Sequence, residues 1–300
     1  MPDSPILIPN AGWDERILVC RFGALVDVFL IVTERYVVLL DTLINAETAA
    51  ALLDIAWPHL SGRRLLVVNT HSHYDHAWGN QVFGGTGAAF PSPIIGTRRC
   101  AALLRAAASA DDLAARAADE PEVYGEVRLI PPDVTFDGEL TIDGGDLTLQ
   151  LLPTPGHAPD QIAVWIPEIR ALFPADAAEL PFPLVNDAAT LPELRGSLAK
   201  LAALDAQTAL YCHAPTSAGP RVMGENIAYF DAMERACRSA LSAGVAAQPA
   251  AGEDAAALVG FSFDSAIPPG VTVEQTGFYA PYHQRAVRAM LAWAASAPAQ

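Results

Sequence analysis

The run Thr70-His71-Ser72-His73-Tyr74-Asp75-His76 constrains this chain more than any other stretch. Three histidines and an aspartate fall within six residues, directly after the apolar run Leu65-Leu66-Val67-Val68. The whole chain has 7 His in 300 residues, so the cluster is not composition at work. Imidazole together with carboxylate suits zinc, iron or manganese. His71 and His73 are two apart, so in an extended segment their side chains leave on one side. Asp75 and His76 follow where the chain turns, able to face a second point nearby. Four such donors packed after a buried strand would be costly unless something binds them. That argues against a polar loop with chance histidines.

The elements around this run mix strands and helices. Residues 1–16 read as an irregular arm. Strands are expected at 17–20, 26–32 and 36–40, an antiparallel meander that ends at Asp41-Thr42. Residues 46–60 have helical composition, and 64–68 is the strand that delivers the histidines. A short helix over 77–83 stops at Gly84-Gly85. The stretch Gly84-Gly85-Thr86-Gly87 lacks the Lys-Ser/Thr ending of a phosphate loop and reads as a turn. A strand at 93–96 precedes a surface helix or helix pair at 98–119. A second run of strands is expected at 127–130, 134–136, 140–142 and 147–152, extended by 161–166 and 171–173. An amphipathic helix at 191–204, a last buried strand at 209–212, and helices at 225–243 and 282–295 follow. Both element types are interleaved throughout, which is an α/β chain.

Three further places could complete a metal site. Pro153-Thr154-Pro155-Gly156-His157 is a tight turn after a strand, its backbone fixed by Pro and Gly. Asp176 follows the apolar run Ala171-Leu172-Phe173, and His213 follows Tyr211-Cys212. Each polar residue stands just beyond an apolar strand, and strand ends on one sheet edge are where a shared site can be built. Singly, His157 could be a turn residue, Asp176 a helix cap and His213 a core histidine. Beside the first run they are not independent accidents. His59, after Pro58 at a helix end, is favoured there by the helix dipole and reads as structural.

His71-x-His73-x-Asp75-His76, then His157, Asp176 and His213 in that order, resembles the metallo-β-lactamase superfamily of hydrolases over roughly residues 15–220. The resemblance implies a four-layer αββα sandwich over residues 1–220, with a helical C-terminal extension at 221–300 packed on it. It implies that His71, His73 and His157 hold one metal ion, that Asp75, His76 and His213 hold a second, and that Asp176 bridges them. The cofactors implied are two divalent ions, zinc first, with manganese or iron as alternatives. Metal binding can lower the pKa of water to about 7. A metal-bridging hydroxide, oriented by the catalytic Asp75, would then attack an ester, thioester or lactone carbonyl. Asp41 matches a family position that supports a histidine ligand from behind; it could equally be a turn carboxylate.

Two departures from the family pattern matter. Ala175 replaces the usual Gly before the bridging aspartate, which is expected to change little because Ala is also small. No cysteine joins the later ligand motifs, and Asp176 is present. That points away from β-lactam hydrolysis, kept only as a side activity, and towards the glyoxalase-like and lactonase-like branches. The Tyr that lactonases carry after the bridging aspartate is missing; Ala177-Ala178-Glu179 stands there. A mononuclear iron dioxygenase of the same fold, acting on persulfides, is the alternative reading. A full ligand set disfavours it, and also disfavours a non-catalytic binding module.

Composition closes off other classes. Thirty-four acidic against 18 basic residues give a formal charge of -16, which repels phosphate backbones and anionic membranes. No nucleic-acid or membrane partner is expected, and a small molecule is. No apolar run approaches the ~20 residues of a membrane helix, and no signal peptide is read at the start. With Cys20, Cys100, Cys212 and Cys237 far apart and read as buried reduced thiols, a cytoplasmic protein is expected. In the tail, Arg221, Tyr229, Tyr279, Tyr282, His283 and Arg285 could touch a polar substrate, though each singly reads as packing or surface. An aromatic helical tail would also serve a homodimer.

Overall fold

The computed structural model describes residues 4–185 and 187–296. Contacts divide the chain into two compact units, Met1–Pro153 with Asp160–Phe173, and Thr154–Pro159 with Pro174–Gln300.

The first unit carries a seven-stranded sheet and four of the five strands of a second. A seven-stranded sheet runs in chain order from β1 (Ile6–Ile8) through β2 (Ile17–Phe22), β3 (Val26–Val32), β4 (Tyr36–Leu40), β5 (Arg64–Val68) and β6 (Ile94–Thr97) to β7 (Val134–Phe136). The strands from β1 to β4 pair antiparallel, as the meander requires. From β4 to β7 the pairing is parallel, because helices carry the chain back between strands. These crossovers are α1 (Ala46–Ala56) after β4, α2 (Tyr74–Ala77) after β5, and α3 (Arg98–Leu104), α4 (Ala107–Asp119) and α5 (Pro121–Tyr124) after β6. Helix α1 begins where the sequence supplies a capping box, Asn45 accepting from the Thr48 backbone and Thr48 bonding back.

The second sheet holds the antiparallel ladder β8 (Leu140–Asp143), β9 (Thr148–Pro153), β10 (Ile162–Ile166) and β11 (Ala171–Phe173). Residues 26–31 of β3 and all of β10 are buried, so both their faces are covered. Phe29 on β3 meets Phe173 on β11 with ring centroids 4.9 Å apart, which joins the two sheets through one core.

Four expectations from the sequence are corrected here. The arm at 1–16 contains a strand, β1, paired to β2. Residues 127–130 form no strand. Strand β7 belongs to the first sheet, parallel to β6, and not to the second run of strands. The last strand is only β12 (Thr208–Ala209). Short strands are placed by their neighbours more than by their own periodicity.

The second unit contains β12 and the helices α6 (Leu191–Ala202), α7 (Arg221–Ser242), α8 (Ala255–Val259), α9 (Phe263–Ala266) and α10 (Thr276–Ser296). Helix α7 starts four residues earlier than expected, and α10 runs through Pro281 rather than starting after it. Its core includes Phe182 stacked on Tyr229 at 4.4 Å. No described helix is long and apolar enough to cross a membrane.

Candidate metal centre

Strands β4 and β5 are parallel, with Leu40 opposite Val68, so the segments that leave them emerge side by side at one sheet edge. The first carries Asp41 and the second the histidine run. Asp41 has φ +67, which bends the chain sharply at the strand end. Its backbone N–H donates to Val68 at 2.9 Å. Its carboxylate then accepts three bonds: from the Thr70 N–H at 2.7 Å, from the Thr70 hydroxyl at 2.7 Å, and from His76 Nδ1 at 2.8 Å.

These bonds set two tautomers. A hydroxyl has one hydrogen, and Thr70 gives its own to Asp41. In the 3.1 Å contact of Thr70 Oγ1 with His71 Nδ1, the imidazole is therefore the donor. His71 and His76 both carry the hydrogen on Nδ1, so Nε2 is the nitrogen each would offer to a metal ion. Burial pushes the Asp41 carboxyl above its ordinary range, while His76 and the Thr70 bonds pull it back. Asp41 thus takes the histidine-supporting role that the resemblance implied, rather than that of a simple turn carboxylate.

The four donors of the run come together. His73 precedes α2 in extended backbone, so its ring returns to the side of His71, centroids 4.5 Å apart. The His71 and His76 rings are 4.1 Å apart, and Asp75 Oδ2 is 3.7 Å from His76 Nε2. Ligand atoms of His71 and His73, of His71 and His76, and of Asp75 and His76 lie within 4.8 Å of one another. His71, Asp75 and His76 are buried and His73 is exposed. The ends of the run are pinned as well. Asn80 and Asn69 exchange two amide bonds at 2.8 and 3.0 Å, and Asn80 also accepts from Thr42 at 2.9 Å. Gly79 packs so closely that a Cβ there would stand 2.0 Å from the Thr42 carbonyl oxygen.

The second unit brings its own three candidates together. Asp176 Oδ2 lies 3.4 Å from His157 Nε2 and 3.3 Å from His213 Nε2. The His157 turn is held against α6, with Ser197 donating to the Pro155 carbonyl at 2.7 Å. Gly156 has φ +137, and a Cβ there would meet Leu194 Cα at 2.3 Å, so only glycine fits. The Leu180 N–H donates to the His213 carbonyl at 3.2 Å. Asp176 sits in a short 3-10 turn, Ala175–Ala177. Ala175 has φ +48. Glycine adopts such a left-handed backbone without strain, so alanine at this position is not merely a matter of size.

The donor chemistry fits a metal. Ligand atoms about 2.0–2.1 Å from a tetrahedral ion stand about 3.3–3.4 Å from one another. The imidazole–carboxylate separations around Asp176 have that length, which is long for a charge-assisted hydrogen bond. Neutral imidazoles with Nδ1 tied back, beside carboxylates, are a set that suits zinc, manganese or iron.

Sequence reasoning missed Asp160. It is buried, and burial raises its carboxyl, against bonding from its own backbone, Ser72 and Cys100 and the nearby His73. Its carbonyl accepts from Thr97 at 3.1 Å. An acidic residue three after His157, in a Pro159-Asp160 turn, was the available signal.

The sequence profile described as the metallo-beta-lactamase superfamily matches residues 22–213. The chain belongs to the metallo-beta-lactamase superfamily. Its two sheets with helices are that superfamily's sandwich fold. Among solved structures, it is similar to a metallo-beta-lactamase family protein of Thermus thermophilus, with 20% identity over 96% of this chain and 90% of that one, TM-score 0.59. A beta-lactamase domain protein of Burkholderia ambifaria matches at 19% identity over 98% and 89%, TM-score 0.63. A stereoselective inverting sec-alkylsulfatase of Pseudomonas sp. matches at 18% identity over 93% of this chain and 49% of that one, TM-score 0.62. No curated protein gave a significant match. These likenesses show the fold, and members of the superfamily are mostly hydrolytic enzymes that bind metal ions.

Five of the six tail residues singled out in the sequence have partners within the tail. Tyr229 donates to His283 Nδ1 at 3.0 Å, and His283 Nε2 donates to the Phe261 carbonyl at 2.8 Å. Arg221 pairs with Glu225, and Arg285 lies 4.7 Å over the Tyr282 ring. All four cysteines are buried thiols outside any disulfide.

Proposed function

We propose that this protein is a dinuclear metal-dependent hydrolase of carbonyl esters, thioesters or lactones. His71, His73 and His157 are assigned to one ion, Asp75, His76 and His213 to the other, and Asp176 to both. One observation carries the reading: a single carboxylate oxygen, Asp176 Oδ2, faces His157 and His213 at 3.4 and 3.3 Å. That is the posture of a bridging carboxylate.

Divalent ions held by these residues would make water a nucleophile near neutral pH and polarise the substrate carbonyl. Asp75, buried in the first turn of α2, would orient that water. Asp41 and Thr70 keep the Nδ1 hydrogens of His76 and His71 in place, so neither ring turns over during the reaction. The presence of Asp176 favours the glyoxalase-like and lactonase-like branches over β-lactam hydrolysis. Four buried reduced thiols fit a reducing compartment, so the cytoplasm is proposed as the location.

Elemental analysis of the protein purified without added metal tests the reading. About two zinc, manganese or mixed ions per chain, with turnover in a panel of lactones, thioesters and esters, is the expected result. One iron per chain, with oxygen uptake on persulfides, would replace it with the dioxygenase.

A further inference from the structure

Arg116 stands beside the histidine run and has no part in the chemistry above. It lies on α4, a surface helix in which no residue is buried. Its guanidinium carbon is 3.6 Å above the ring of Tyr74 and 5.9 Å from those of Trp78 and Tyr124. The three rings form a cluster of their own, with centroids 6.0, 6.4 and 5.9 Å apart. Tyr74 is the residue between His73 and Asp75. Because His73 is the exposed donor of the run, the corner at His73 and Tyr74 is its open side. The Arg116 side chain is one-third exposed there, within reach of a solute.

We propose that Arg116 is a specificity-determining residue that selects substrates carrying a second, anionic group, such as the half-ester of a dicarboxylic acid. The proposal rests on the hydrolase reading. A guanidinium stacked on an aromatic face keeps its N–H edge in a fixed plane, suited to a carboxylate fork. Asp112 occupies Nε at 3.2 Å and steadies the plane, as an exposed pair that offsets little of the charge at range. A chain of net charge -16 repels anions in general, so an anionic substrate needs a local cation at the mouth of the site. The competing role is a latch, in which Arg116 only holds α4 against Tyr74.

Two measurements on the protein as purified separate these. The first is the ratio of kcat/KM for mono-4-nitrophenyl glutarate to that for 4-nitrophenyl acetate, in wild type, Arg116→Ala and Arg116→Lys. The second is a glutarate titration followed at the Arg116 Nε–Hε NMR resonance, assigned by its loss in Arg116→Lys. The ratio should fall roughly tenfold or more in Arg116→Ala, as for loss of a hydrogen bond to a charged group, and less in Arg116→Lys. Glutarate should shift the resonance. A ratio equal in all three proteins overturns the proposal and leaves the hydrolase reading standing. If wild type turns over neither ester, the hydrolase reading has failed separately, and the titration decides: a saturable shift supports the anion subsite, and no shift overturns it.

Discussion

Asp41 Oδ2 accepts the Nδ1 hydrogen of His76 at 2.8 Å across 35 residues of sequence. The contact exists because β4 and β5 pair in parallel and release both segments at one edge. Changing Asp41 to Asn keeps the shape but removes the charge that holds the tautomer. Metal affinity should fall about 10–100-fold, read by competition with a chromogenic chelator. Unchanged affinity would mean that His76 is oriented by something else.

His73→Ala removes the exposed donor and should abolish bound metal and turnover together. Retained wild-type turnover in that variant would rule out the hydrolytic assignment. Asp176→Ala should lower the number of ions retained per chain on titration, since it deletes the carboxylate proposed to serve both. An unchanged stoichiometry would remove the bridge.

The donors were legible because their chemistry is rare and dense: three imidazoles and a carboxylate fall within six residues, and burying two of those rings with the carboxylate is costly without cause. Their local placement followed from period and from strand ends, and the structure brings His71, His73, Asp75 and His76 together as the extended-then-turning backbone requires. Other features depended on distant partners. Three residues, Val134–Phe136, carry no signal for which sheet they join, and pairing with β6 decides it. Arg116 and Tyr74 are 42 apart in number, and only the α3–α5 excursion between β6 and β7 brings them into contact. Asp160 was missed because the groups that reach its carboxyl, Ser72 after β5 and Cys100 on α3, come from distant segments.

His283 makes a prediction in acid. Burial lowers its pKa below the ordinary 6.5, against the raising effect of the Phe261 carbonyl and of Asp254. As pH falls, the unfolded chain takes up the proton first. The stability tied to the neutral ring is therefore present above about pH 6.5 and is lost as pH falls through the lowered folded value. In chelator-treated protein, Tm should drop more steeply between pH 7.5 and 5.5 in wild type than in His283→Gln. His283→Ala should cost about 2 kcal/mol at pH 7.5, for two buried hydrogen bonds of about 1 kcal/mol each. Parallel Tm curves for wild type and His283→Gln would show that the ring does not titrate with unfolding.

Ala175 tests the backbone beside Asp176. At φ +48 an alanine carries a left-handed penalty of roughly 1–2 kcal/mol, which a glycine would not. Ala175→Gly also widens the unfolded ensemble, at a cost of about 0.4–1 kcal/mol. The balance favours the variant by about 0.5–1 kcal/mol, visible as a higher urea midpoint with an unchanged slope. Ala175 is buried at 1% exposure, so loss of its methyl subtracts part of that gain, and the sign of the result decides which effect is larger. A lower midpoint would mean that the methyl's packing outweighs the relief of backbone strain. A higher one would show that Ala175 holds a strained backbone next to Asp176, which faces His157 and His213.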